Sequence, residues 1–230
     1  MKNCSFRGGK IPKIENIEKK SWSDNHDEVD NPTRMRRPFR LTCLGPPGSG
    51  KSNYTKWIAC QYGDWHTVVV WSPSEGTGEW ADLEATEYVT ECPDEQDHVF
   101  GTIDEPSLFI VDDIFIAGLK GEPRRRLDKM CSWASTHRNI SVCIVAQGVW
   151  QVDINVRRYM NAWAIWPIAD QTAVNRLASS TSLDSKTLRR MLNDVKKHGP
   201  HANLFIQWTG ALGPEWVVTV NGRYPLKYGR

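Results

Sequence analysis

The sequence lacks the features that mark secreted, disulfide-stapled or membrane-spanning proteins. No apolar run in its 230 residues approaches the ~20 needed to cross a bilayer. Its first residues contain no apolar stretch of the signal-peptide type. The six cysteines are scattered without a CxxC pair, which disfavours a zinc site and a disulfide framework. We therefore expect a protein that is not secreted and that has no membrane segment.

The chain also has little excess charge of either sign. Its formal net charge is +2, which excludes a histone-like polycation, and its length suits one domain, or one domain with an appendage. Residues 1–38 hold nine Lys or Arg and six Asp or Glu and show no apolar periodicity, so we predict a flexible polar arm there. Residues 39–230 are predicted to form the folded domain. The basic cluster at 34–38 fits a solvated linker, a nucleic-acid contact or a nuclear-import signal.

From residue 39 onward, short apolar runs alternate with helix-compatible stretches. Nearly continuous apolar runs are typical of strands that are buried on both faces of a parallel sheet. The alternation therefore predicts an α/β doubly wound architecture. The predicted strands span 39–44, 67–72, 107–111, 141–146 and 162–166. The predicted helices span 50–61, 122–136, 153–160, 170–180 and 184–198, and a C-terminal β-hairpin pairs 203–208 with 216–220.

A glycine-rich segment between the first predicted strand and the first predicted helix matches the phosphate-loop pattern G-x-x-x-x-G-K-[ST]. Glycines let backbone N–H groups turn toward a phosphate, and the following helix presents its positive end to the same anion. Lys51 can reach the β- and γ-phosphates, and the Ser52 hydroxyl can ligate Mg²⁺. The segment predicts binding of a nucleoside triphosphate through Gly45, Pro46, Pro47, Gly48, Ser49, Gly50, Lys51 and Ser52.

Two carboxylates follow the apolar run that ends at Val111. In phosphate-loop enzymes, an acid at a strand end helps to hold Mg²⁺, and we assign this role to Asp112. The next side chain points in a different direction, so Asp113 is the candidate base that polarises the attacking water. The alternative is a pair of solvated aspartates at the end of a strand.

Other polar side chains flank the strand predicted at 141–146. Gln147 stands at its end and is predicted to touch the γ-phosphate or the attacking water, although a surface glutamine is the alternative. Arg138 precedes the strand, and Arg157 and Arg158 follow it. One of these three arginines is predicted to reach a neighbouring subunit and stabilise transition-state charge there. Considered singly, each is more typical of a surface residue.

Three consecutive arginines, 124–126, occupy the start of the helix predicted at 122–136. Positive charge is unfavourable at that end of a helix dipole, so an anion could compensate it. A DNA-facing loop and a solvated charge cluster both remain open.

Four segments together resemble the poxvirus-type DNA-packaging ATPases of the FtsK/HerA superfamily. They are GPPGSGKS (45–52), VVVWSPSEGTGEW (68–80), LFIVDD (108–113) and HRNIS (137–141) with Gln147. The resemblance spans about 40–166. The phosphate loop is common to many families, but its combination with the second and fourth segments is much more specific.

The sequence departs from the family pattern at the arginines. Many relatives carry an Arg-His pair before the fourth strand, whereas Thr136 precedes His137 here. Arg138 could substitute for the missing arginine. Relatives also tend to have an arginine closely followed by asparagine before the fifth strand, and Arg157, Arg158 and Asn161 resemble this with altered spacing. The identity of the transition-state arginine therefore stays open among the three candidates.

The resemblance implies a RecA-like P-loop NTPase fold, with a mostly parallel sheet flanked by helices. It also implies an ATP-driven, Mg²⁺-dependent motor that moves double-stranded viral DNA into a preformed capsid. The expected partners are double-stranded DNA, a capsid or portal-vertex protein, and further copies of the chain in a ring. The expected location is the cytoplasm or nucleus of an infected host cell, or the virion. The alternatives are another P-loop enzyme, such as a helicase or nucleoside kinase, and a nucleotide-gated capsid assembly factor with little turnover.

Overall fold

The computed structural model describes residue 35 and the ranges 37–62, 65–73, 79–80, 83, 86–208, 214–220 and 224–229. Most of the predicted arm 1–38, including Arg34 and Arg36 of its basic cluster, lies outside the described residues. The middle of the 68–80 segment and the loop of the predicted hairpin lie outside them as well. The predicted boundary between arm and domain is therefore left untested.

The described chain forms one mixed β-sheet. Its strands are β1 (Arg40–Leu44), β2 (Thr67–Trp71), β3 (Thr86–Val89), β4 (Ser107–Asp112), β5 (Ile140–Ala146), β6 (Ala162–Ile165), β7 (Ala202–Trp208), β8 (Pro214–Val220) and β9 (Tyr224–Gly229). The strand order is β3-β2-β4-β5-β1-β6-β7-β8-β9. Strands β1 to β6 pair in parallel, and β7 to β9 extend the sheet antiparallel beyond β6. This arrangement confirms the predicted α/β class with a mostly parallel sheet.

Helices connect the parallel strands and cover the sheet. They are α1 (Lys51–Tyr62), α2 (Gly121–Lys129), α3 (Ser135–His137), α4 (Ile154–Tyr159), α5 (Gln171–Thr181) and α6 (Ser185–Lys196). A π-helical segment, Met130–Ala134, joins α2 to α3, so the helix predicted at 122–136 is one continuous element. Aspartates cap α4, α5 and α6, since each carboxylate accepts a hydrogen bond from a backbone N–H of the first turn. Among the described helices, none is long and apolar enough to cross a membrane.

The two strands that the sequence did not predict are the outermost strands of the sheet. β3 is a four-residue strand at one edge, and β9 at the other edge turns the predicted hairpin into a three-stranded antiparallel unit. Edge strands are half paired and tolerate polar residues and proline. β3 contains Glu87, and β9 contains Pro225 and Lys227, so neither shows the apolar run of a central strand.

Both faces of the sheet bury apolar side chains. Alternate residues of β4 divide between two hydrophobic clusters, with Phe109 in one cluster and Leu108 and Ile110 in the other. Phe109 is fully buried; its ring stacks on Trp71 at 6.4 Å and meets Phe100 edge-on at 5.8 Å. This double burial explains the uninterrupted apolar sequence of β4.

We expect Phe109→Ala to lower the free energy of unfolding by about 3–5 kcal/mol, because it removes a large buried side chain and leaves a cavity between two aromatic rings. Phe115→Ala is the matched control, since Phe115 is 60% exposed and its truncation should change stability little. Urea unfolding of both variants measures the difference. Equal stability of the two variants would contradict the burial of Phe109 between Trp71 and Phe100.

Candidate active site

The phosphate loop connects the end of β1 to the start of α1 and packs against neighbouring backbone. Gly48 and Gly50 have φ angles of 73° and 99°, in the left-handed region that favours glycine. A Cβ at Gly45 would lie 2.6 Å from the Cβ of Trp166, so this position requires glycine for close packing. The N–H of Gly45 donates to the carbonyl of Ala146 at 3.3 Å, which ties the loop to the end of β5.

Lys51 is largely buried at the first position of α1. Its Nζ donates to the carbonyl oxygens of Gly45 at 2.8 Å and Pro46 at 3.0 Å, so the ammonium group lies across the loop. Burial lowers the pKa of Lys51, and the nearby carboxylates of Asp113 and Asp112 oppose that shift. The structure thus gathers the lysine and both predicted acids in one place, with the positive charge available to phosphates.

Asp112 is the last residue of β4 and is 8% exposed. The indole Nε1 of Trp80 donates a hydrogen bond to its Oδ2 at 2.8 Å. Burial raises the pKa of Asp112, and the Trp80 hydrogen bond opposes that shift. The indole thus holds one carboxylate oxygen of Asp112 in place.

Asp113 is exposed and adopts a left-handed backbone conformation with φ 52°. The amide Nε2 of Gln147 donates to both of its carboxylate oxygens, at 3.1 and 3.0 Å. The Nε2 of Gln151 donates to one of them at 3.4 Å, while its Oε1 accepts from the N–H groups of Gln147 at 2.5 Å and Gly148 at 3.2 Å. Two glutamine side chains thus orient a solvent-accessible carboxylate beside the phosphate loop.

The three candidate arginines do not join this group within one chain. Arg138 lies two residues before the start of β5, and Arg157 and Arg158 lie near the end of α4, shortly before β6 begins. They therefore lie toward the edge of the sheet where the parallel strands start, whereas the phosphate loop lies where those strands end. Arg157 is 3% exposed, and Arg158 is exposed. Their action on a neighbouring subunit stays a prediction.

The arginine run 124–126 is neutralised within the chain. Arg124 forms ion pairs with Asp128 at 2.7 Å and Asp153 at 2.6 Å. The other two arginines both pair with Glu122, at 2.6 and 3.1 Å, and hold the pKa of that carboxyl at about 2. Acidic partners thus supply the compensating charge, which favours the charge-cluster interpretation of this run over a DNA-facing loop.

Sequence reasoning missed three residues that contact the site. Gln151 follows Gln147 by four residues, and a second polar side chain beyond the strand end was its only signal. His201 Nδ1 lies 3.2 Å from the carbonyl of Ser49, a contact that depends on the return of the chain from α6 to β7. Trp80 stood in the family-like segment 68–80, but its partner Asp112 is 32 positions away.

The described residues suit a bound magnesium nucleotide. Asp112 and the half-buried Ser52 offer the hard oxygen ligands that Mg²⁺ prefers. Ser49 Oγ is buried in the loop without a hydrogen-bond partner, so it is available to a phosphate oxygen. Within the described part of the chain, no cluster of three or more His, Cys, Asp or Glu residues could hold a metal ion. Asp112 and Ser52 would supply protein ligands, and the phosphates and water would supply the others.

We expect Asp112→Asn to raise the melting temperature of the nucleotide-free protein at neutral pH. Burial raises the pKa of Asp112, so the folded state is favoured while this carboxyl is protonated and loses stability as pH rises from the unfolded pKa through the folded pKa. Asparagine still accepts a hydrogen bond from Trp80 but never ionises. The gain in melting temperature should therefore vanish when the pH falls below the pKa that the Asp112 carboxyl has in the unfolded chain. Thermal unfolding at a series of pH values measures this change in melting temperature, and Asp104→Asn, at an exposed turn, is the control. A gain that persists unchanged in acid would exclude ionisation of Asp112 as its cause.

Similar proteins were found only at the level of three-dimensional structure. No family model matches the chain, and no curated protein sequence matches it. The DNA-packaging ATPase from Sulfolobus Turreted Icosahedral Virus superposes with a TM-score of 0.55 at 13% identity, over 85% of this chain and 98% of that one. The genome packaging NTPase of Sulfolobus turreted icosahedral virus 2, solved with ATP-gammaS, gives 0.56 at 12% identity over 81% and 97%. EssC (ATPases 2 and 3) from Geobacillus thermodenitrificans gives 0.52 at 11% identity over 80% and 40%. The chain therefore has the fold of P-loop ATPases.

Proposed function

We propose that this protein is an ATP-driven motor of the FtsK/HerA superfamily that moves double-stranded DNA, and that its task is to package a viral genome into a preformed capsid. The observation that carries the proposal is the grouping of Lys51, Asp112, Asp113 and Gln147 at the carboxyl edge of the parallel sheet. The similarity to the fold of two viral genome-packaging enzymes, over nearly their whole length, supports the same assignment. The poxvirus-type branch rests on the sequence resemblance.

The proposed reaction is the hydrolysis of ATP. Backbone N–H groups of the loop and the Lys51 ammonium bind the phosphates, and bound Mg²⁺, held by Ser52 and Asp112, would neutralise phosphate charge. Asp113 accepts a proton from water as the water oxygen attacks the γ-phosphorus and the bond to the β-phosphate oxygen breaks. Gln147 and Gln151 orient the Asp113 carboxylate for this role, because both donate hydrogen bonds to it.

The proposed active form is a homo-oligomeric ring in which an arginine from one subunit completes the site of the next. Such an arginine must project from its own subunit. The exposed Arg158 fits this requirement best, Arg138 is second, and the buried Arg157 fits least. A ring would also concentrate the basic loops of a nearly neutral chain around one DNA duplex. The proposed partners are double-stranded DNA and a capsid or portal-vertex protein, in an infected cell or with the virion.

We expect duplex DNA to stimulate ATP hydrolysis and Lys51→Ala to abolish it. Loss of a preorganised charged donor should reduce turnover about a hundredfold or more. Phosphate release measured with and without duplex DNA tests both points, with Lys186→Ala, an exposed lysine on α6, as the matched control. Normal turnover in a folded Lys51→Ala variant would contradict the site.

The same assay distinguishes the alternatives. Stimulation by single strands alone would indicate a helicase, and phosphorylation of an added nucleoside would indicate a kinase. ATP binding with almost no turnover under any condition would indicate a nucleotide-gated assembly factor. Each of these three outcomes would contradict the proposed packaging motor.

We expect mixing of two inactive variants, Asp113→Ala and Arg158→Ala, to restore part of the ATPase activity. In a mixed ring, some interfaces pair an intact carboxylate with an intact arginine of the neighbouring subunit. Each variant alone should bind ATP but fail in the chemical step. Arg138→Ala and Arg157→Ala are tested in the same way, and Arg190→Ala on the exposed face of α6 should retain full activity.

Two results would contradict an arginine acting between subunits. The first is full activity of all three candidate variants. The second is a lack of rescue although chromatography shows that mixed oligomers form. A rate per subunit that does not change with protein concentration in a monomeric sample would count equally against the ring.

A further inference from the structure

A second basic site lies away from the phosphate loop. It is a cleft of about 710 Å³ between α4, α5 and the end of β7. Its lining includes three arginines, two adjacent serines and a tryptophan: Arg157, Arg158, Arg176, Ser179, Ser180 and Trp208. All of its charged lining residues are arginines. The cleft therefore combines positive charge with hydroxyl groups and an aromatic ring.

Arg157 forms the buried part of this cleft. Its side chain is 3% exposed, and its Nε has no hydrogen-bond partner. Burial lowers the pKa of Arg157, and the positive charge of Arg176 lowers it further. Asp153 lies near enough to oppose the shift, but its carboxylate already accepts from Arg124 at 2.6 Å. The buried Nε of Arg157 thus lacks an acceptor, and a buried donor without one is costly.

Arg176 is held in place beside this buried group. Its guanidinium carbon lies 4.3 Å from the centroid of the Trp150 ring, which is a close cation–π contact. The stacking orients a planar donor while its edges stay free to form hydrogen bonds. Two guanidinium groups that line one cleft supply hydrogen-bond donors of the kind that phosphate oxygens accept, because arginine donates to phosphate in a forked geometry.

The topology separates this cleft from the nucleotide site. Met160, which also lines the cleft, precedes β6, and Trp208 ends the antiparallel β7. Both residues lie at the edge of the sheet where the parallel strands begin. Lys51 and the two strand-end aspartates lie at the opposite edge, so the part of the cleft that Met160 and Trp208 line is separate from the phosphate loop of the same chain.

We propose that this cleft binds the phosphate groups of a second ligand, either a nucleotide or the backbone of a DNA duplex. The shared chemistry is an anion with several oxygen acceptors that takes hydrogen bonds from Arg157 and Arg176. The cleft contains none of the residues that bind ATP at the phosphate loop. Arg157 and Arg158 are also candidates for the arginine that completes a neighbouring subunit's ATP site, so Arg176, which is not one of those candidates, is the residue that distinguishes this proposal from that role.

The test compares two variants in the full-length Lys51→Ala protein, in which the phosphate loop binds nucleotides less strongly. Calorimetry measures the binding of pyrophosphate, ATP and a short blunt-ended DNA duplex. Arg176→Gln should weaken binding of at least one of them about tenfold or more, because a charge-assisted hydrogen bond is lost. Arg190→Gln, which removes an exposed arginine on α6, is the matched control and should bind like its parent.

The pattern across the three ligands identifies the source of the phosphate. A loss confined to pyrophosphate and ATP indicates a nucleotide, and a loss confined to the duplex indicates the DNA backbone. Arg157→Gln should give the same pattern if it folds; Arg176 lies on the surface, so its variant is decisive alone. Equal binding of all three ligands by Arg176→Gln and Arg190→Gln would overturn the proposal.

Discussion

The parallel pairing of β4, β5 and β1 is the constraint on which the candidate site depends. Register places Asp112 opposite Val145 and Leu44 opposite Ala146, so all three strands end at the same level. Asp112, the last residue of β4, therefore lies beside the residues that follow the three strands, which are Asp113, Gln147 and the phosphate loop. Buried apolar pairing on both faces of the sheet holds these ends in place, and the polar chemistry is concentrated at the edge where that pairing stops.

The central part of the fold and site could be predicted from the sequence because its signals are local. Each central strand is a short run of apolar residues, and the phosphate loop carries its own backbone requirements at Gly48 and Gly50. Gln147 was predicted to touch the γ-phosphate or the attacking water, and in the described structure its amide donates to both oxygens of Asp113. Sequence reasoning could therefore place Lys51, both aspartates and the glutamine at one edge, and the described structure brings them together there.

The features that could not be predicted from the sequence depend on contacts between distant parts of the chain or lie at the edges of the sheet. His201 reaches Ser49 only because two helices bring β7 back beside β6, and no local pattern encodes that distance. β3 and β9 escaped prediction because edge strands need no apolar run. The sequence identified Arg157 and Arg158 as candidates but could not distinguish between them. In the structure Arg157 is buried and Arg158 is exposed, and this difference arises only from the packing of the folded chain.

The antiparallel strands β7 to β9 have a consequence for how this chain can be divided. β6 reads Ala-Trp-Ala-Ile, and all four of its residues are buried between β1 and β7. A fragment that ends after α6 would keep every residue of the proposed catalytic group. It would also leave β6 as a bare apolar edge with unpaired backbone groups, which is a template for joining strands of other molecules. The C-terminal strands thus cover the edge of β6 and prevent it from pairing with other molecules. Versions of this protein that lack them should aggregate although they retain every residue of the proposed catalytic group.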